Sequence, residues 1–176
     1  AEGVHVLAPG DAVPALALTS QFGQPVSLAD WRGAAGVVTF IYTRCPLPDF
    51  CPLLDRRFAE IQAAAAGDPA LAGKVRLLSV SFDPAFDTPD VLATHASRVG
   101  ARPGWTFATA PPPVVDRFAA EFGVNVIRET DGTITHNLRT AVIGPDGRVT
   151  AVHSGNDWTA GQVLDDLRRA LAGPGA

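Results

Sequence analysis

Two apolar runs constrain the fold of this chain more than any other feature. "GVVTFIY" (36–42) and "VRLLSVSF" (75–82) are almost unbroken by charge and rich in branched residues. A strand with one wet face would alternate apolar with polar residues. Runs like these belong in a sheet covered on both sides, which is the habit of parallel strands. Each run leads into a helical pattern. Leu54, Phe58, Ile61 and Ala65 share one face of the first helix, which ends near Gly67. The second starts near Thr88, aligns Leu92, Ala96 and Val99, and stops at Gly100.

The remaining elements follow in order. "WTFAT" (105–109) reads as a short strand, and Pro111 to Pro113 open a helix with Val115, Phe118, Ala119 and Phe122 at helical spacing. "VIRETDGTITH" folds back around Asp131-Gly132, and "LRTAVIGPDGRVTAV" around "GPDG". A last helix aligns Val163, Leu167 and Leu171, while "PALALTSQFGQPVSL" forms a small hairpin near the start. Two parallel βα units followed by a β-hairpin and a helix is the order of a thioredoxin-like fold. The expected class is α/β: a thioredoxin-like fold with an N-terminal β-hairpin and an inserted helix plus β-hairpin before the last two strands. The 176 residues are expected to form one domain over 1–176, with 1–10 flexible. The chain opens "AEGVHVLAPGD", with neither Met nor an apolar leader core, so a removed leader or N-terminal anchor is expected.

Composition narrows the function. A net charge of −4 without any Lys/Arg run argues against nucleic acid as a partner and against a membrane-surface role. No apolar run approaches the roughly 20 residues of a membrane span.

Chemistry concentrates in "YTRCPLPDFCP" (42–52), which holds both cysteines of the chain, Cys45 and Cys51, with five residues between them. That spacing fits neither a redox CxxC pair nor a zinc knuckle. The loop lies between the end of the first central strand and its helix, the edge where open α/β sheets bind ligands. Pro52 suits the start of a helix, which puts Cys51 at or near the N-cap. There the helix dipole favours a thiolate, and Arg44, Arg56 and Arg57 add positive charge. Such a thiolate attacks a disulfide or ligates a soft metal, and the loop alone does not choose. A purely structural staple would contribute only about 2 kcal/mol, on which so large a core does not depend.

Two further segments bear on the loop. "FDPAFDTP" (82–89) sets Asp83 and Asp87 beyond the second central strand, on the same sheet edge. Their ordinary reading is a turn, with Asp87 or Thr88 capping the next helix. Among the histidines, His5 lies in the N-terminal segment, His95 borders an apolar helix face, and His153 ends a strand near the last helix. His136 differs. It closes "ETDGTITH" and precedes "NLRTAVI", where a thioredoxin-like chain faces its cysteine loop. Thioredoxin relatives carry a cis-proline there; this chain has "THNL". Two thiolates and an imidazole suit a soft, redox-active first-row metal, copper above all, whereas zinc usually takes a fourth ligand. At a hairpin exit, His136 is expected to bury little apolar area.

Taken in order, "YTRCPLPDFCP", "SVSFDPAFDTPDVL" and "THNLRTAVIGPDGRV" resemble the Sco/SenC proteins, copper-binding assembly factors of cytochrome c oxidase. The resemblance runs from about Pro14 to the last helix; each motif alone is weak, and the ordered trio is specific. It implies Cys45 and Cys51 as thiolate ligands, His136 as imidazole ligand, and Asp83 and Asp87 as the acidic segment beside the site. It also implies copper, as Cu(I) or Cu(II), delivered to the CuA centre of cytochrome c oxidase subunit II or another copper acceptor, or else reduction of that centre's thiols. A thioredoxin-like reductant is a second implied partner. The implied location is the bacterial periplasm, with membrane contact only through a removed N-terminal anchor. One departure stands out: the family loop usually has three residues between its cysteines, and "PLPDF" here supplies five. Asp49, inside that spacer, is either an extra oxygen donor or a residue that caps or breaks the chain. The alternative function is a periplasmic thiol-disulfide oxidoreductase using Cys45 and Cys51 as nucleophile and resolving thiol, in either order. A peroxiredoxin fits less well, because Thr43 precedes Cys45 by two residues rather than three.

Overall fold

The structure, a computed structural model, describes residues 3–173. β1 (Leu18–Ser20) and β2 (Pro25–Val26) form the N-terminal hairpin, and a short 3-10 turn, Leu28–Trp31, leads into β3 (Ala35–Ile41). Next come α1 (Cys51–Ala66), β4 (Val75–Ser81), α2 (Pro89–Val99), β5 (Trp105–Thr109) and α3 (Pro112–Glu121). The inserted hairpin, β6 (Val126–Arg128) and β7 (Ile134–His136), precedes β8 (Arg139–Ile143), β9 (Val149–Ser154) and α4 (Ala160–Ala172). The expected order of elements is therefore present.

A seven-stranded sheet runs β2-β1-β5-β4-β3-β8-β9, and β6-β7 stands apart as a two-stranded sheet. β3, β4 and β5 are mutually parallel; β8 and β9 continue antiparallel from β3, and the N-terminal hairpin adds to β5 on the far side. All of β3 is buried, as a central strand with helices on both faces must be. The register shows how the faces divide. Val37 pairs with Leu77 and Leu77 with Trp105, so these three point to one side, whereas Phe40, three residues beyond Val37, points to the other. Phe58 of α1 packs against Trp105 at 5.9 Å, and Phe118 and Phe122 of α3 pack against Phe40 at 5.9 and 5.6 Å. Two side-chain pairs satisfy polar groups within the sheet: the Thr39 and Thr140 hydroxyls meet at 2.9 Å, and Trp105 Nε1 donates to Ser79 at 3.1 Å.

Helix ends follow local chemistry. Thr88, rather than Asp87, caps α2 through the Val91 N–H, and Gly100 closes it in the left-handed conformation. α1 starts differently. Its N-cap residue is Phe50, which offers no side-chain acceptor, so the N–H groups of the first turn face the cysteine loop uncapped.

Of the segment 1–10 expected to be flexible, residues 1–2 lie outside the described residues. Within it, Leu7 N–H donates to the Glu121 carbonyl and Gly10 N–H to the Val149 carbonyl, both at 2.8 Å. His5 meets Asp11 at 2.8 Å. No helix among the described residues is long and apolar enough to cross a membrane.

Gly36 is where the sheet allows no side chain: a Cβ there would lie 2.2 Å from the Trp31 ring and 3.3 Å from the Arg76 carbonyl. Gly36→Ala should lower stability by about 1–3 kcal/mol through overpacking. Denaturant unfolding should show a lower midpoint with an unchanged slope; an unchanged midpoint would mean that Trp31 is not fixed in this position.

Candidate metal centre

Parallel pairing of β3 and β4 puts Ile41 opposite Ser81, so the chain leaves both strands side by side. Asp87 locks the two exits together. Its carboxylate accepts from the Thr43 N–H at 3.0 Å, from the Thr43 hydroxyl, and from the Ser81 hydroxyl at 2.6 Å. Asp83 holds the next residue along, accepting from Arg44 Nε and Nη2 at 3.0 and 2.9 Å, while the guanidinium lies 4.5 Å from the centre of the Phe86 ring. Burial pushes the Asp83 carboxyl up in pKa, and Arg44 opposes that shift. Both aspartates thus brace the base of the cysteine loop. They stand behind the site, not among its candidate ligand atoms.

The loop then carries Cys45 outward, turns at Leu47–Phe50, and enters α1 at Cys51. Asn156, in the β9–α4 connection, donates to the Asp49 carbonyl at 2.8 Å and props the spacer. His136 arrives from the other side on β7, whose partner β6 sets Val126 opposite it. Its ring lies between Tyr42, Phe50 and Phe82, with centroids 5.8, 6.0 and 4.6 Å away. This corrects the expectation that His136 buries little apolar area, because the hairpin folds its end down onto the sheet edge instead of leaving it at the rim.

One ligand atom each from Cys45, Cys51 and His136 lies within 4.8 Å of the others. His136 Nε2 is 4.0 Å from Cys51 Sγ, and both cysteines are free thiols. Asp49 is exposed and its carboxylate does not join the group; its contribution to the loop is its backbone carbonyl. The other histidines are engaged elsewhere, His95 with Asp55 at 2.9 Å and His153 with Asp166 at 2.6 Å.

The two sulfurs are not equivalent. Cys45 is half-buried and its thiol is drawn down to about 4, chiefly because the Cys51 S–H donates to it, with the His136 side chain and then the Cys51 and Leu47 N–H groups adding to the effect against the opposing pull of burial. Cys51 is buried and its thiol is pushed up, by that same hydrogen bond and by burial. Sequence reasoning placed the thiolate at Cys51, on the helix terminus. The structure moves it to Cys45, because buried Cys51 keeps its proton and donates it to the other sulfur, at which its helix-terminal N–H also points. Hydrogen bonds and burial dominate both shifts, not the guanidinium charge of Arg44, Arg56 or Arg57. Sequence reasoning also missed Tyr42, Phe50 and Phe82, which sit at the ends of apolar segments and look like any core aromatic.

Residues 8–172 match the SCO1/SenC family model. A protein of Stutzerimonas stutzeri designated copper-binding is 30% identical over 168 residues, covering 91% of this chain and 75% of that one. A SCO1/SenC family lipoprotein from Bacillus anthracis has a similar structure, with a TM-score of 0.82 at 23% identity over 94% of this chain and 98% of that one. Bradyrhizobium japonicum ScoI, solved with copper bound, gives a TM-score of 0.73 at 25% identity over 94% of this chain and 99% of that one. The expected thioredoxin-like α/β fold is therefore the fold of known relatives.

The asymmetry of the sulfurs is testable without metal. In reduced protein at a pH of about 6, an alkylating reagent should modify Cys45 and spare Cys51, since only the thiolate is nucleophilic. Because the Cys45 pKa is depressed, the reaction should persist as pH falls and fade only near about 4. Peptide mass mapping would identify the modified residue, and preferential labelling of Cys51 would reverse the assignment.

Proposed function

The chain belongs to the SCO1/SenC family, and from that premise we propose that it binds copper through Cys45, Cys51 and His136 and serves in assembling cytochrome c oxidase. The convergence of two sulfurs and one imidazole within 4.8 Å carries this reading. The donor set fits the metal. Thiolates and a neutral imidazole are soft to borderline donors, suited to a soft, redox-active ion and short of the fourth ligand that structural zinc demands. Copper here is cargo, and the three side chains hold it reversibly.

The chain's own groups set the terms of loading. Both sulfurs must lose their protons and Nε2 must be unprotonated, so binding releases protons and weakens as pH falls. Cys45 already favours the thiolate, whereas Cys51 yields its proton only to a competing cation. Oxidation of the two thiols to a disulfide removes two electrons and two protons and eliminates both sulfur donors. Loading therefore requires reduced protein, and a thioredoxin-like reductant supplies that state. The half-buried Cys45 is the face on which an acceptor's ligands approach. In this reading the chain is one copper-binding unit of the bacterial periplasm, tethered through its N-terminal side, and it hands copper to the CuA centre of subunit II or to another acceptor.

A second reading is favoured by the pairing of two free thiols, a half-buried Cys45 drawn toward the thiolate and a buried Cys51 that holds its proton. A thiol-disulfide oxidoreductase needs that pair, with Cys45 attacking and Cys51 resolving. His136 separates the readings, because metal binding needs its nitrogen and thiol exchange does not.

Copper(II) added to reduced protein should bind one ion per chain with intense sulfur-to-metal charge-transfer absorption. The band should vanish when Cys45 and Cys51 are both serine. His136→Ala and His136→Phe, the latter keeping a flat ring against the aromatic cage, should weaken Cu(I) binding by more than about 100-fold, since supporting residues alone are worth 10–100-fold. Reaction with a small disulfide should change far less, because the largest contribution to the Cys45 thiolate, the Cys51 S–H, remains. Wild-type copper affinity in both variants, with thiol exchange lost, would transfer the function to the second reading.

A further inference from the structure

We propose that Asn137 is a positioning residue that fixes His136 as its Nδ1–H tautomer, so that Nε2 meets the sulfur pair with a free lone pair; this rests on the metal-binding reading above. His136 Nδ1 lies 2.9 Å from the Asn137 carbonyl oxygen. A carbonyl only accepts, so in the neutral ring the proton must sit on Nδ1. Nε2 is then the bare nitrogen, 4.0 Å from Cys51 Sγ.

An acceptor on the very next residue works only if that peptide is held in one orientation. The Asn137 side chain holds it. Its Oδ1 accepts from the Asn125 N–H and its Nδ2 donates to the Gly123 carbonyl, both at 2.7 Å. Both partners lie in the connection from α3 to β6. That connection is itself bonded to the end of α3, through Gly123 N–H to the Ala120 carbonyl at 2.9 Å and Val124 N–H to the Ala119 carbonyl at 2.8 Å. Downstream, Leu138 is buried and its carbonyl accepts from the Gly155 N–H at 3.0 Å. The peptide that receives the imidazole proton is thus tied to the core helix on one side and to the β9–α4 connection on the other.

Without the Asn137 amide this peptide is held on one side only, by Leu138, and can tilt away from the ring. An unconstrained neutral imidazole prefers its proton on Nε2, where it can also donate to the Cys45 thiolate, yet that is the atom that must be bare to ligate. The tautomer follows whatever hydrogen bond the other nitrogen makes, so losing Asn137 should return the proton to Nε2 and oppose metal entry.

The test is nitrogen-15 NMR of the His136 ring in reduced, metal-free protein, at a pH high enough to remove the imidazolium signal. In wild type the Nδ1–H form should dominate. Asn137→Ala should make Nε2–H the majority form. Asn137→Asp, which keeps the acceptor for Asn125 and loses the donor to Gly123, should fall between. Copper(I) affinity should drop about tenfold in Asn137→Ala, the low end for a supporting residue. A merely structural role would lower the unfolding midpoint and leave the tautomer ratio alone. The proposal is overturned if wild-type His136 is mainly Nε2–H, or if Asn137→Ala leaves the ratio unchanged. Failure of the metal-binding reading appears separately, as wild-type copper affinity in His136→Ala, because the tautomer is read without metal.

Discussion

Asp87 is fully buried, yet its carboxylate receives the Thr43 N–H, the Thr43 hydroxyl and the Ser81 hydroxyl, which together stand in for the water it has lost. An isolated carboxylate in that place would be disfavoured by several kcal/mol or would take up a proton. Satisfied as it is, it fastens the exits of β3 and β4 to one point. Asp83 extends the same bracket to Arg44. Cys45 is the residue immediately beyond, so the reach of the whole spacer is measured from a fixed origin. The five residues between the cysteines are not a loose loop, because the Asp87 bracket holds one end, α1 the other, and Asn156 the middle.

From that origin the site draws its groups from three independent pieces of chain. One sulfur comes from the spacer, one from the first residue of α1, and the imidazole from a hairpin outside the main sheet. Each could wander alone. Packing removes that freedom: Tyr42 and Phe82 leave the ends of β3 and β4 and, with Phe50, enclose the His136 ring. The consequence is a division of labour between the sulfurs. The uncapped start of α1 points an N–H at Cys45, Cys51 adds its own proton, and a single negative charge collects on the more accessible sulfur. On the proposed reading, a metal arriving there would meet a thiolate first and would have to displace the proton from the buried sulfur.

Much of the architecture was legible because it rests on local rules. Unbroken apolar runs announced the central strands, Gly100 and Thr88 marked the ends of α2, and Asp131-Gly132 marked the inserted hairpin. The site was legible only as far as residue types in sequence order reach, which brought Cys45, Cys51 and His136 into one set. Asp83 and Asp87 were recognised as neighbours of the site but not as its bracket, since capping and bracing look identical in "FDPAFDTP". Asp49 could be read as an oxygen donor or as a residue that breaks the chain, and the turn at Leu47–Phe50 leaves its side chain exposed.

Sequence by itself determined which chemistry this chain can do: two thiols and an imidazole, placed at a sheet edge by the alternation of strands and helices. That much depends on composition and on periodicities read within a dozen residues. Tertiary structure decided which sulfur carries the charge, how the imidazole is oriented, and what role the aspartates take. The aspartates' role and the seat of the imidazole arise from contacts between distant residues, such as Thr43 with Asp87 and Cys51 with His136, and the charge from a sulfur pair that only the packed loop brings together. Proton affinity follows the local field and the loss of water, and neither exists until the pieces are packed.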